Sequence, residues 1–204
     1  MPRYSPKTLY DMYNEGFSGC IYEPEHLEKL MSKLKYPYFG DANDFIKDTG
    51  KGKLSTPFKS VLKFDKAAYE ERQTTGDCVS HGTRNAVDIT RAIEIHINHE
   101  REAWIARGAT EAIYGSRGHG GQGMSCSRAA EFVNKIGGVL IRKNYEGVID
   151  LSKYNSSIGS RWGSSGVPEA VKQIGQKHQI KTISNIRTIG DAIVTGKQIG
   201  RAHV

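Results

Sequence analysis

The stretch Gln73-Thr-Thr-Gly-Asp-Cys78-Val-Ser-His-Gly sets a cysteine directly ahead of a long helical pattern, with an amide side chain just upstream. Ala86, Ile89, Ile93 and Ile97 recur at three- and four-residue spacing and Ala92 widens the stripe, which predicts one buried helix face beginning near Cys78. In a first turn, unpaired backbone N–H groups and the positive end of the helix dipole favour the thiolate, the attacking form of a thiol. Gln73 offers an N–H to a substrate carbonyl oxygen as negative charge builds on it. Loss of such a donor slows acyl transfer by about a hundred- to a thousand-fold. Gly76 carries no side chain to keep the backbone from passing close between them. The expected chemistry is attack by Cys78 on an amide carbonyl.

These residues resemble the papain-like cysteine peptidases, whose active-site cysteine opens a central helix and whose oxyanion hole combines an upstream glutamine with the cysteine's own N–H. The resemblance continues downstream. Thr110-Glu111-Ala-Ile-Tyr114 is similar to the family's Ser-Glu-Gln-x-Leu turn, and Gly118-His-Gly-Gly-Gln-Gly123 to its glycine-rich substrate loop. Ser127-Arg-Ala-Ala-Glu-Phe-Val-Asn-Lys-Ile-Gly-Gly138 is similar to the helix and glycine turn that follow. The match runs from Gln73 to about Tyr145, roughly a third of the chain.

The resemblance implies a papain-like α+β fold, with the cysteine at the N-terminus of the central helix and the later antiparallel strand half cut away. It implies Cys78 and Gln73 as catalytic residues, and His119, Gly120, Gly121 and Gly123 as substrate-binding residues. It also implies a peptide or protein substrate, with no cofactor and no metal. The chain departs from the family in three ways. Gln73 is one residue nearer its cysteine than in papain, Val79 stands where an aromatic residue usually follows the nucleophile, and the family's common disulfide has no evident partner. These departures point to a distant member, similar to short papain-like proteins of bacterial and tailed-phage genomes. A thiol acyl transferase shares the same chemical logic, and a papain-like fold without catalysis would suit a virion-associated or other structural protein; both alternatives stay open.

Ile199-Gly-Arg-Ala-His-Val204 resembles the translated start of a common sequencing adapter, so residues 199–204 are expected to be foreign to the protein and His203 receives no role. Papain-type enzymes place the histidine and asparagine about 130 to 150 residues after the cysteine, a window that opens past Val204. The catalytic base is expected in sequence lost by truncation, and Thr188-Ile-Gly-Asp-Ala-Ile-Val-Thr-Gly196 resembles the short helix that precedes it. The expected division is residues 1–65 as a segment of unknown role, 66–198 as a partial papain-like domain, and 199–204 as the foreign tail.

A histidine within the chain could in principle replace the missing base. His81 lies one turn along the same helix as Cys78 and cannot easily reach across a substrate. His96 and His99 have i, i+3 spacing but no third metal ligand, and His119 is placed to touch substrate from the glycine loop. The three cysteines, at 20, 78 and 126, are expected as free thiols, with Cys20 and Cys126 as packing residues; they lack the paired spacing of a zinc site. The glycine loop is read as a substrate-pairing loop rather than a phosphate loop, since no Gly-Lys-Ser or Gly-Lys-Thr follows.

A chain of 204 residues suffices for one core, and no Pro- or Ser-rich linker divides it. Its net charge of +7 comes from scattered Lys and Arg, expected as a solvated surface rather than a nucleic-acid face. No run of about twenty apolar residues predicts a membrane span and no apolar run follows Met1, so a cytoplasmic location is expected, with incorporation into a virion as an extension. The elements that must hold the site are a helix near 24–34, the central helix from Cys78 to about Ala106, and a helix through Ala129, Phe132, Val133 and Ile136 that ends at Gly137. A strand at Val139-Leu-Ile141, a helix after Pro168 and a strand at 180–184 follow. Helices first and strands late suggest α+β.

Overall fold

The computed structural model describes residues 19–21, 23–34, 56–97, 99 and 106–180. Within them the helices are α1 (Pro24–Met31), α2 (Phe58–Val61), α3 (Cys78–Ile97), α4 (Glu111–Gly115), α5 (Cys126–Glu131), α6 (Ser156–Ser165) and α7 (Glu169–Gln176). One two-stranded antiparallel sheet joins β1 (Asn144–Tyr145) to β2 (Ile149–Asp150), with Asn144 opposite Asp150 and Tyr145 opposite Ile149. The result is a mixture of helix and a little sheet, compatible with α+β. Of the expected strand at 180–184 only Ile180 is among the described residues, and the helix at 188–196 and the tail at 199–204 lie outside them.

Local chemistry explains several boundaries. Pro24 sits in the first turn of α1, where its missing N–H costs nothing, with Glu25 near the positive end and Lys29 near the negative end. The Ser125 hydroxyl accepts the Arg128 N–H to cap α5, and Asn155 accepts the Ser157 N–H to cap α6. Beyond Glu131 the helix widens into a π-helical turn, Phe132–Ile136, and stops at Gly137 as the glycine pair predicts. The helix after Pro168 also forms.

α3 begins at Cys78 as expected but is 20 residues long and ends at Ile97, short of Ala106. His99 lies in the left-handed region at φ 57, a conformation that cannot continue the helix. Its buried face also differs from the predicted stripe. Ala86 is exposed and Ile89 and Ile93 are only half-buried, while Val79, Ser80, Arg84, Val87, Asp88, Arg91, Ala92 and Glu94 are buried. Polar groups can occupy that face because tertiary partners satisfy them. Arg84 Nη1 donates to Glu71 at 3.2 Å, and Asp88 accepts the Gly108 N–H at 3.0 Å.

The expected strand at Val139–Ile141 does not form as a named strand. Its backbone instead pairs locally with residues 107–109: Ala109 N donates to Leu140 O, Arg142 N donates to Arg107 O, and Ile141 bridges Gly108. Val139 and Leu140 are fully buried there, in a core with Ile113, Phe132, Leu151 and Trp162. The turn that closes β1 onto β2 holds Gly147 at φ 75, and the Val148 N–H returns to Tyr145 O. A smaller cluster of Val61, Ala68 and Ala92, with Ile89 against it, seats α2 on α3.

Not all the basic residues form the expected solvated surface. Arg117 is 1% exposed and Arg84 2%, and the Arg142 side chain is buried between Glu71 and Glu111. Both Glu111 oxygens accept from Arg142 Nη1 at 2.7 Å, and one also accepts the Asn155 N–H at 2.8 Å. This carboxylate anchors α4, the loop after Leu140 and the start of α6 to one another.

Candidate functional site around Cys78

Cys78 is the first residue of α3, and the turn before it is fixed from two sides. Asp77, 1% exposed, accepts from the Tyr154 hydroxyl at 2.9 Å and lies 3.4 Å from His81 Nε2. On the other side, Gln122 Oε1 in the glycine loop accepts the Gly76 N–H at 2.5 Å and the Thr75 hydroxyl at 3.3 Å. A Cβ at residue 76 would lie 2.7 Å from that oxygen and 3.0 Å from Gly123 N, so the absence of a side chain there is what permits so close an approach. The thiol-bearing turn and the glycine loop are thereby held edge to edge.

Arg117 shapes the loop from beneath. Its guanidinium donates to four carbonyls, Gly121 at 2.9 Å, Tyr114 at 2.9 Å, Gly159 at 2.8 Å and Ser160 at 3.0 Å, and it lies 3.9 Å from the Tyr114 ring centre. Gly120 and Gly121 are exposed, Gly123 is buried at φ 81, and His119 is half-buried with its ring beside Gly121. Gly120 and Gly121 thus offer backbone at the surface.

Residues 19–21 cross the mouth of this arrangement. Ile21 N donates to Met124 O at 3.0 Å and Met124 N donates to Gly19 O at 3.2 Å, pairing Cys20 with Met124 in parallel. Gly19 then rests on the Cys78 thiol so closely that a Cβ on residue 19 would overlap Sγ. α1 clamps the segment in place. Glu23 binds Arg128 at 2.7 Å and accepts from the Ser125 hydroxyl at 2.5 Å, while His26 bonds Ser127 at 2.9 Å and Glu131 at 3.0 Å.

This cover alters the electrostatics expected of Cys78. Burial pushes the Cys78 thiol up, and the nearby Cys20 and Asp77 act in the same sense, while the Val79 and Cys78 N–H groups pull the other way without prevailing. The helix N-terminus makes its expected contribution, but with the segment in place desolvation outweighs it. The residue as a whole is exposed, and its sulfur lies against the Gly19 backbone.

The other anticipated residues are placed as follows. Gln73 is exposed, and its Nε2 donates to Thr75 O at 2.6 Å instead of pointing an amide at Cys78. His81 is 9% exposed and fixed by Asp77, the Tyr154 ring and Arg84, which lies 3.3 Å from its Nδ1; it makes no hydrogen bond to Cys78. His96 is exposed and bonds Lys63. Among the described residues no cluster of His, Cys, Asp and Glu could hold a metal ion. No described helix is long and apolar enough to cross a membrane.

Cys20 and Cys126 are exposed rather than packed in the core, and their sulfurs lie 4.0 Å apart. Sequence spacing could not have shown this, because the two are 106 positions apart and meet only through the pairing of residue 20 with Met124. Gln122 and Arg117 were also missed; the one signal available was an amide and a guanidinium flanking a glycine run. An open cleft of about 610 Å³, lined by Glu70, Glu71, Arg107, Arg142, Lys153 and Tyr154 among others, does not include Cys78. Comparison with protein-family models, with curated proteins and with solved structures finds no match to this chain.

Proposed function

We propose that Cys78 is the nucleophile of a papain-like thiol hydrolase acting on peptide amides. The observation that carries this reading is the position of Cys78 as the first residue of a 20-residue helix, with the glycine loop tied to its preceding turn by the Gly76–Gln122 hydrogen bond. In that place the Cys78 N–H can face a developing oxyanion, and Gln73 can join it by releasing Thr75 O. Exposed backbone at Gly120 and Gly121, with His119 beside it, is where a peptide would pair. Attack would form a tetrahedral intermediate and then a thioester, with the leaving amine taking a proton from a histidine supplied from outside the described residues. Residues 19–21 must leave before any substrate enters.

In a chain that carries that histidine, Cys78→Ala is expected to abolish peptide hydrolysis while leaving the far-UV circular dichroism unchanged. Retained hydrolysis would sink the assignment.

A second reading, a non-catalytic papain-like protein of structural or virion-associated role, is favoured by one observation: the thiol is held covered and its acidity is lowered by burial. A covered but competent thiol becomes reactive when the cover is displaced. A purely structural one does not.

A further inference from the structure

We propose that Cys20 and Cys126 form a dithiol pair whose disulfide latches residues 19–21 over the Cys78 thiol. The idea that the latch regulates catalysis rests on the reading of Cys78 as a nucleophile; the latch itself does not.

The two sulfurs stand 4.0 Å apart on separate sides of the same closure. Cys20 lies in the covering segment, directly after the glycine that rests on Cys78, and Cys126 is the first residue of α5. A disulfide requires the sulfurs to approach by a further ~2 Å. Both cysteines are exposed, so a soluble oxidant can reach them. Cys78 is near enough to act electrostatically on Cys126 and to be acted on by Cys20, but its sulfur packs on the Gly19 backbone, and among the described residues the sulfurs in contact are those of Cys20 and Cys126.

A low-molecular-weight disulfide such as oxidised glutathione supplies the balance. One cysteine thiolate attacks it, releasing one glutathione and leaving a mixed disulfide; the second cysteine attacks its partner's sulfur and releases the other glutathione. Two protein thiols are oxidised, one glutathione disulfide is reduced to two thiols, and the two cysteine protons end on those thiols. Without the bond, the cover is held by two backbone hydrogen bonds at Met124 and the α1 clamp, contacts that open locally. With the bond, that opening is blocked. Reduction restores it, so a reducing compartment frees Cys78 and an oxidising one closes it.

The test uses the full 204-residue chain, equilibrated with oxidised or with reduced glutathione. Non-reducing peptide mapping identifies any linkage, and a pulse of N-ethylmaleimide measures the labelling rate of the Cys78 that stays free. The expected result is a dominant Cys20–Cys126 peptide in the oxidised sample, with Cys78 labelling about tenfold slower than in the reduced one. Cys126→Ser should lose both effects. A dominant Cys20–Cys78 linkage, no internal linkage at all, or a Cys20–Cys126 bond with unchanged Cys78 labelling would each overturn the proposal. Because alkylation needs no turnover, a Cys78 that proves catalytically inert refutes the hydrolase reading and leaves the latch result standing.

Discussion

Gly19 lies on the Cys78 thiol with no room for a Cβ between them, so the backbone of the N-terminal segment is part of the environment that sets the acidity of that thiol. A helix N-terminus and an apolar cover act on a thiol with opposite sign, and with the segment seated the cover prevails. The acidity of Cys78 is therefore tied to the seating of residues 19–21, Glu23 and His26 against residues 124–131.

That docking has an identifiable polar anchor. Arg128 and Ser125 hold the Glu23 carboxyl below its usual range, with the Arg128 hydrogen bond as the largest cause. Both partners are partly exposed, so the pair is worth only about 1 kcal/mol. Arg128→Ala is expected to speed hydrogen exchange at the Ile21 amide, which bonds Met124 O, by about fivefold. Unchanged exchange would mean that the Met124 pairing holds the segment without the clamp.

Glu111 accepts two bonds from Arg142 and one from the Asn155 N–H. Replacing it with Ala leaves a buried guanidinium short of a partner, a loss that typically costs about 3 to 5 kcal/mol. Urea unfolding should show an unfolding free energy lower by that amount, with Glu111→Gln falling between the two. A loss under about 1 kcal/mol would show that Glu71 alone satisfies Arg142.

Asp88 makes stability depend on pH. Burial pushes its carboxyl up to about 6, against the Gly108 N–H and the charges of Arg84, Arg91 and Arg107, which pull it down. Since the folded value lies above the unfolded one, the contribution of Asp88 is fully present below the unfolded value near 3.8 and is lost as the pH rises through about 6. The shift corresponds to about 3 kcal/mol at most. Asp88→Asn keeps an acceptor for Gly108 and removes the titration, so it should gain on the wild type by up to that amount between about pH 4 and about pH 7. A pH-independent difference between the two chains would contradict the assignment.

The sequence made the start of α3 legible because a cysteine, a glycine and a helical period meet at one point. The inward face of that helix was not legible. Ala86, Ile89 and Ile93 mark one stripe by hydropathy, yet the core side carries Arg84, Asp88 and Arg91, whose partners are remote in sequence or on the backbone of another segment. Apolar periodicity registers transfer free energy and cannot register a buried charge that tertiary partners satisfy. The same limit hid the site's cover. Gly19, Cys20 and Met124 meet through backbone pairing, which leaves no pattern of residue types, whereas Gly76 and the glycine loop could be read because close approach demands glycine on both sides.

The most direct test of the central claim is the pH dependence of Cys78 alkylation by iodoacetamide, under reducing conditions, in the wild-type chain and in Gly19→Ala. A methyl group at residue 19 cannot share the space held by the Cys78 sulfur, and it is expected to displace the segment from the thiol. The midpoint should lie above the ordinary thiol value of about 8.5 in the wild type and below it in Gly19→Ala, where the helix N-terminus acts unopposed. A midpoint at or above that value in both chains would show that the fold does not activate Cys78, and would contradict its role as a nucleophile.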